Sequence, residues 1–311
     1  MIAFAVLATV PSAWGWGCKG HEIVALIAEA HLNPRARAMA LKTLADGPID
    51  PALSRYCKEP GLDPFVDSSN WPDDIRAIRP YASPWHFIDI PRGASESDIA
   101  KYCPPATSCI TSALVDQLTI LRDPKAMPQA RADALRFIIH FLGDIHQPLH
   151  DITNNDRGGN CVPVAFFDRA PKETNTTFES YNPNLHGVWD VDILERFMNG
   201  QTPQQTADEL DQKFQTQIHD WQSQPPNFIS WAWEGHQLGE RIVYGRLPVK
   251  IVIEAPRPVD SCTDDDHVST RMLSLNENLA SEYQDAAAPV VTEQLAKGGI
   301  RLAALLNSIW P

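Results

Sequence analysis

Three shortages narrow what this 311-residue chain can be. After the first fifteen residues, no stretch approaches the roughly eighteen uninterrupted apolar positions of a membrane-spanning helix, so no stable membrane association is expected. Basic residues are outnumbered, 26 Lys and Arg against 39 Asp and Glu, and the formal net charge is −13. That excludes a protein that holds nucleic acid through a broad basic surface. It leaves nucleic acid open as a substrate, because bound divalent cations can supply positive charge locally. Cysteine is sparse and never spaced as CxxC, which argues against a thiolate zinc ribbon. No repeat or Gly/Ser linker marks a boundary, so residues 16–311 are read as a single domain.

The six cysteines are Cys18, Cys57, Cys103, Cys109, Cys161 and Cys262, an even number that allows up to three disulfides in an exported chain. Cys103 and Cys109 form a natural local pair, and spacing does not fix the other pairings. Residues 1–15, MIAFAVLATVPSAWG, are a short apolar run ending in small residues. They read as a secretory signal without a basic n-region, cleaved after Ala13 or Gly15, or alternatively as an apolar anchor. A secreted or periplasmic location follows from the first reading. Cleavage after Gly15 would make Trp16 the N-terminal residue. A free α-amino group titrates near ~8, so it can ligate a metal together with its own carbonyl, and His21 stands five residues away as a partner.

Chemistry concentrates in LRFIIHFLGDIHQPLHD, Leu135 to Asp151. If the chain is helical to about Gly143, His140 and Asp144 lie one turn apart, offset by about 40° on one face. Pro148 cannot continue the helix, so the chain can bend His150 back toward the same centre, while His146 falls on another side. A lone histidine on an apolar helix is usually a satisfied core residue. His and Asp at i, i+4 with a further His past a helix break favour metal instead. NLHGVWDVDILERF repeats the pattern with His186 and Asp190.

Elsewhere, SSNWPDDIR places Asp73 and Arg76 three apart, a spacing more often found in surface ion pairs, and WHFIDI holds His86 and Asp89. Helical patterns are expected from near His21 and over residues 35–45, 111–121, 130–143, 206–219 and 290–306. Gly298 and Gly299 allow close helix contact in the last of these. The loop 152–160 is dense in turn formers and is expected to be exposed, and 162–168 has the content of a short strand or hairpin. Asn175-Thr176-Thr177 matches a glycosylation acceptor. The candidates Trp16, His21, Asp73, His86, His140, Asp144, His150, His186 and Asp190 offer only nitrogen and oxygen. Such a set suits a hydrolytic zinc site; it is too large for one ion and about right for three with a bridging aspartate.

In number, order and spacing these pieces resemble the three-zinc, single-strand-specific nuclease and 3′-nucleotidase family of fungi, plants and bacteria. The matching pieces are WGxxGH at Trp16 to His21, WxDxxR at Trp71 to Arg76, HFID at His86 to Asp89, HFLGDIHQPLH at His140 to His150, GGN at Gly158 to Asn160, NLHxxWD at Asn184 to Asp190 and AKGGIRLAALLN at Ala296 to Asn307. The resemblance implies a mainly α, single helical domain with a small β-hairpin and three Zn²⁺. Carried over, one zinc takes Asp73, His86, His140 and Asp144, and a second the Trp16 amine and carbonyl, His21 and the bridging Asp144. The third takes His150, His186 and Asp190, and His146 takes none. It also implies that Phe87 stacks a base whose edge is bound by Asp89, Gly158 and Asn160, with Arg157 at the pocket mouth.

The expected activity is hydrolysis of single-stranded DNA or RNA to 5′-phosphorylated products, with 3′-nucleotides as further substrates, by a monomer. In this reading Asp73 orients and deprotonates the attacking water, and Arg76 neutralises charge on the equatorial phosphate oxygens. One rival is a zinc-dependent phospholipase C, which typically carries glutamate where this chain has Asp190 and lacks the HFID and GGN pieces. Another is a non-catalytic zinc-binding protein of the same fold.

Overall fold

A buried helix at the centre positions everything that follows. In a computed structural model, which describes residues 16–57, 62–104, 108–174, 176, 179, 181–262 and 278–311, the helices are α1 (Cys18–Ala30), α2 (Pro34–Asp46), α3 (Pro64–Asp67), α4 (Trp71–Asp74), α5 (Ile110–Arg122) and α6 (Pro128–Asp144). They continue with α7 (Leu185–Gly187), α8 (Ile193–Met198), α9 (Pro203–Lys213), α10 (Ile218–Ser223), α11 (Phe228–Leu238) and α12 (Ser281–Ile309). Every residue of α6 from Ala132 to Asp144 is buried, as a helix enclosed by others must be. Its polar residues Asp133, Arg136, His140 and Asp144 recur at helical spacing and form one stripe. Asp133 and Arg136 compensate each other at 3.1 Å, and Arg136 also donates to the carbonyl of Gly47 at 2.6 Å.

The long helix α12 lies against both α1 and α6. A Cβ on Gly299 would stand 2.7 Å from Ile27 Cβ, and one on Gly298 would stand 3.0 Å from the Leu142 carbonyl. The glycine pair therefore permits the close contact expected of it, without interrupting the helix. α6 stops at Asp144 and Pro148 opens a 3₁₀ turn, Pro148–His150, so the predicted break is present. No helix among the described residues is long and apolar enough to cross a membrane.

Two expectations need correction: the loop 152–160, expected to be exposed, is buried apart from the half-buried Thr153 and Arg157, and one expected helix is divided. Residues 206–219 do not form one helix: α9 starts at Pro203, capped by Thr202, and ends at Lys213, and α10 begins only at Ile218. No Gly or Pro marks the break; there Phe214 turns inward to pack on Trp221, with ring centroids 5.6 Å apart, and tertiary packing overrides helical periodicity. The region 162–168, read as a short strand or hairpin, supplies the short strand β1 (Ala165–Phe166), which pairs in parallel with β4 (Asn278–Leu279). The small antiparallel hairpin lies later, between β2 (Lys172–Glu173) and β3 (Tyr181–Asn182).

All six cysteines are paired, as Cys103–Cys109, Cys18–Cys57 and Cys161–Cys262. The leader read at 1–15, and Asn175 and Thr177 of the glycosylation match, lie outside the described residues.

Candidate metal centre and substrate cavity

α6 delivers His140 and Asp144 to a point where three other segments converge. His140 Nε2 lies 3.0 Å from Asp144 Oδ2, and His86, from the 3₁₀ segment Pro80–His86, places Nδ1 3.0 Å from the same oxygen. Asp73, on the single turn α4, brings its carboxylate within 3.7 Å of His86 Nδ1 and 3.8 Å of His140 Nε2. His21 of α1 stacks on His140 with ring centroids 3.8 Å apart and sets Nε2 3.4 Å from Asp144 Oδ1. On the far side of the Pro148 bend, His150 meets His186, 5.2 Å between rings, and His186 Nε2 lies 3.2 Å from Asp190 Oδ2. His186 and Asp190 straddle the junction of α7 with a π-helical turn, Val188–Asp192, a distortion that recurs at functional sites.

Three triads have one ligand atom from each residue within 4.8 Å of the others: His86, His140 and Asp144; His21, Asp73 and His140; and His150, His186 and Asp190. The third coincides with its expected grouping. The first falls within the set expected for one ion; the second joins His21, expected on another ion, to Asp73 and His140, so that His140 stands in both triads. Trp16 is fully buried beside them, its indole donating to the Gly143 carbonyl at 2.9 Å. His146 stands apart: Nδ1 donates to Leu142 O at 2.7 Å, and Nε2 accepts from Arg301 at 2.8 Å.

The donor set fits cations. His140, His150 and His186 each donate Nδ1–H to a backbone carbonyl, of Ser69, His86 and Gly158 respectively, at 2.6 to 2.7 Å. Such bonds fix the ring orientation and turn Nε2 inward, as backbone carbonyls behind metal-ligating histidines do. His21 Nδ1 and Nε2, His86 Nε2 and Asp144 Oδ1 are buried without hydrogen-bond partners, an arrangement costing ~1–3 kcal/mol per group unless something else satisfies it. Burial drives His86 down to about 4 and lowers His21 and His150. At His140 burial acts the same way, but Asp144 and Asp73 outweigh it and carry the ring up to about 9. Without cations, the site thus keeps a proton on His140 to offset two buried carboxylates.

Behind the third triad sits a residue that motif reading passed over. Gln147 is fully buried, donates Nε2–H to Asp190 Oδ1 at 2.6 Å and accepts from Leu149 N at 2.6 Å. It fixes which Asp190 oxygen faces His186. Its position inside the HQPLH run was the only available cue.

Beside the triads opens a cavity of about 360 Å³ that shares His86, His150 and His186 with them. Arg76, Phe87, Asp89, Gly158 and Asn160 all line it, so the expected substrate residues are brought together. Arg76 Nη1 lies 3.3 Å from Asp73 Oδ1, linking the triads to the cavity. Gly158 has φ +59°, and a Cβ there would sit 2.4 Å from the Leu149 carbonyl, so only glycine fits. Arg157 lines the cavity but also turns its guanidinium to the carbonyls of Val259 and Asp260. Pro91, Tyr102, Leu149, Thr153, Asn155 and residues 256–259 complete the lining without having been expected there.

Residues 16–311 match the family description S1/P1 nuclease. The chain is 28% identical to nuclease S1 of Aspergillus oryzae over 316 residues, covering 99% of this chain and 96% of that protein. It is 27% identical to endonuclease 2 of Arabidopsis thaliana (98% and 94% covered) and 27% identical to nuclease P1 of Penicillium citrinum (94% and 97% covered).

Proposed function

The chain belongs to the S1/P1 nuclease family, and from that membership and the site geometry we propose that it is an exported zinc-dependent phosphodiesterase. Its substrates are single-stranded DNA and RNA, cleaved to 5′-phosphorylated products, together with 3′-mononucleotides. The observation that carries this reading is the adjacency of three buried His/Asp triads to a cavity containing Arg76 and Phe87. Asp73, His86, His140, Asp144, His21, His150, His186 and Asp190 would hold the ions, with Trp16 completing the set through a free N-terminus after removal of residues 1–15. When bound, zinc supplies a hydroxide-like nucleophile near neutral pH and positive charge for the departing 3′-oxygen.

The chain's own groups do the rest. Asp73 is held below the usual carboxylate range: burial would raise it, but His140, His86 and Arg76 outweigh that. It therefore remains a proton acceptor that can orient the attacking water. Arg76 faces the cavity beside it and is placed to bind the non-bridging phosphate oxygens. Phe87 offers a ring face to an unstacked base, while Asp89 and Asn160 present groups to its edge. The same cavity argues against phospholipid as substrate, since two aromatic rings, two carboxamides and three arginines line it rather than a long apolar channel.

N-terminal sequencing of the secreted protein with a zinc count, followed by parallel assays on single-stranded DNA, RNA, a 3′-nucleotide and phosphatidylcholine, tests the proposal. A start at Trp16, three zincs and nucleotide cleavage are expected. Lipid cleavage without nucleotide cleavage, or a metal-replete protein that cleaves no phosphoester, would refute it.

A further inference from the structure

The groups that fasten His186 and Asp190 lead back to one place, the π-helical turn Gly239–Tyr244 that follows α11. A helix leaves its last carbonyls without partners of its own, and here the Val243 carbonyl accepts from the Tyr283 hydroxyl of α12 at 2.8 Å. The same hydroxyl accepts from Trp189 Nε1 at 2.9 Å, and Trp189 is the neighbour of Asp190 in the other π turn, Val188–Asp192. The next residue, Tyr244, points a second way. Its hydroxyl donates to the Asp156 carboxylate, 2.8 Å from Oδ2 and 3.0 Å from Oδ1, and Asp156 Oδ1 also accepts from the backbone N–H groups of Asn154 and Gly159 at 3.1 Å. That knot holds the two glycines behind His186: the Gly158 carbonyl accepts from its Nδ1 at 2.6 Å and the Gly159 carbonyl from its backbone N–H at 3.3 Å. The Tyr244 ring is itself held by the Arg92 guanidinium, 4.6 Å from its centroid, and Arg92 is tied to Glu240 of the same turn at 3.1 Å. Val243, Tyr244, Tyr283, Trp189 and Asp156 are all buried.

We infer that Tyr244 and Tyr283 are positioning residues for the ion at His150, His186 and Asp190: the turn Gly239–Tyr244 is a two-armed brace, one arm ending behind His186 and the other beside Asp190. The inference rests on the zinc reading given above. His186 sits on α7, which is only three residues long, and so short a helix does not hold its shape alone. Its ligand spacing to Asp190 is therefore set by what is bonded behind it. The two arms start from adjacent residues of one buried turn, so displacing that turn moves both ligands. Each link lies in the interior, where removing a hydroxyl leaves its partner with no water to replace it. Neither tyrosine belongs to a triad or lines the cavity, so each acts through other residues. The opposite side of the centre is held by other groups, such as the Ser69 carbonyl behind His140, and the effect should be confined to one ion.

The test uses the whole protein and the variants Tyr244→Phe and Tyr283→Phe, each of which removes one hydroxyl and keeps the ring. Zinc bound per chain is measured by mass spectrometry over a range of buffered free Zn²⁺, with His186→Asn as the marker for loss of the third ion. Each tyrosine variant should weaken one zinc by ~10-fold, the low end of the loss when a group supporting a metal ligand is removed. The other two should stay within about twofold. Combining either variant with His186→Asn should cost the remaining two ions nothing further. Turnover of a single-stranded oligonucleotide, reduced at limiting zinc, should return to within about twofold of wild type at saturating zinc, a rescue that a merely structural defect does not permit. Wild-type affinity for all three ions in either variant, or an equal loss at all three, would overturn the inference. A wild-type protein that binds no more zinc than His186→Asn would instead sink the zinc reading itself, because there would be no third ion to position.

Discussion

Gly143 offers a sharp test of whether His21 belongs to a metal centre. The residue lies in the last turn of α6, and an added Cβ would sit 2.8 Å from His21 Nδ1, 3.2 Å from its Cε1 and 3.6 Å from Trp16 Cδ1. Ordinary carbon contacts begin near ~3.5 Å, so in Gly143→Ala the imidazole must move by about 0.7 Å. It has little room to do so, because it already stacks on His140 at 3.8 Å, with an interplanar angle of 15°. Two terms then compete for stability. Alanine in a helix interior gains ~1 kcal/mol over glycine, whereas forcing a methyl group into a packed site costs ~1–3 kcal/mol. The metal-free protein should therefore lose no more than ~2 kcal/mol, a change of a few degrees in Tm.

Metal affinity has no such compensation, since a ligand displaced by several tenths of an ångström loses its geometry. With zinc held as proposed, the expected result is a ~10–100-fold weaker affinity for the ion that His21 would bind, the size of loss seen when a group supporting a metal ligand is removed. Zinc stoichiometry by mass spectrometry at buffered free Zn²⁺, together with calorimetry of the apo and loaded forms, separates the two effects. The loaded form should lose much more stability than the apo form. Wild-type zinc affinity in Gly143→Ala would show that His21 is an ordinary buried histidine and would refute the reasoning.

The remaining predictions can be checked on the same preparations. Arg76→Ala should lower kcat by ~10²–10³, the cost of losing one positioned transition-state donor, with zinc content unchanged; near-normal turnover would remove Arg76 from the mechanism. Gln147→Ala should weaken the ion at His150, His186 and Asp190 by ~10–100-fold, taking the zinc count toward two at limiting metal; three tightly held zincs would count against it. For Glu234, burial would raise the carboxyl, but Arg301 and Lys297 outweigh burial and hold it at about 2, below its ordinary 4.5. A depressed carboxyl contributes stability that is complete above pH 4.5 and lost as pH falls toward 2. With part of the side chain solvent-exposed, the contribution is discounted to about 1–2 kcal/mol. Glu234→Gln should therefore lower urea-unfolding stability at pH 7 and flatten the acid limb of the metal-free protein; an unchanged limb would contradict the assignment.

How much of this was legible in sequence follows from what a sequence displays. Residue type and spacing are visible, so the helix carrying His140 and Asp144, its end before Pro148, the repeated pair at His186 and Asp190 and the close-packing Gly298–Gly299 were readable before any coordinates. Long-range tertiary choices are not visible. The inward turn of Phe214 that divides residues 203–223 into α9 and α10 depends on Trp221 lying where it does, and no local residue announces it. The parallel pairing of Ala165–Phe166 joins segments more than a hundred residues apart, and two-residue strands leave no alternation to detect.

The cavity wall shows a deeper limit of the same kind. Phe87 and Arg76 could be proposed because their side chains carry the chemistry, but the segment 251–260 is held beside them mainly through its backbone carbonyls and N–H groups, which every residue possesses. What makes 252–257 special is that Asn154 and Asn155 supply the bonds of an absent strand. In sequence those asparagines sit in a run of turn formers, where Asn normally bonds to its own neighbours. Both here reach about a hundred residues along the chain instead, and Asn155 does so from a left-handed backbone, φ +59°, which aims its carboxamide away from the local turn. A turn-forming loop and a proline-containing stretch, each ordinary alone, line one cavity only once folding sets them side by side.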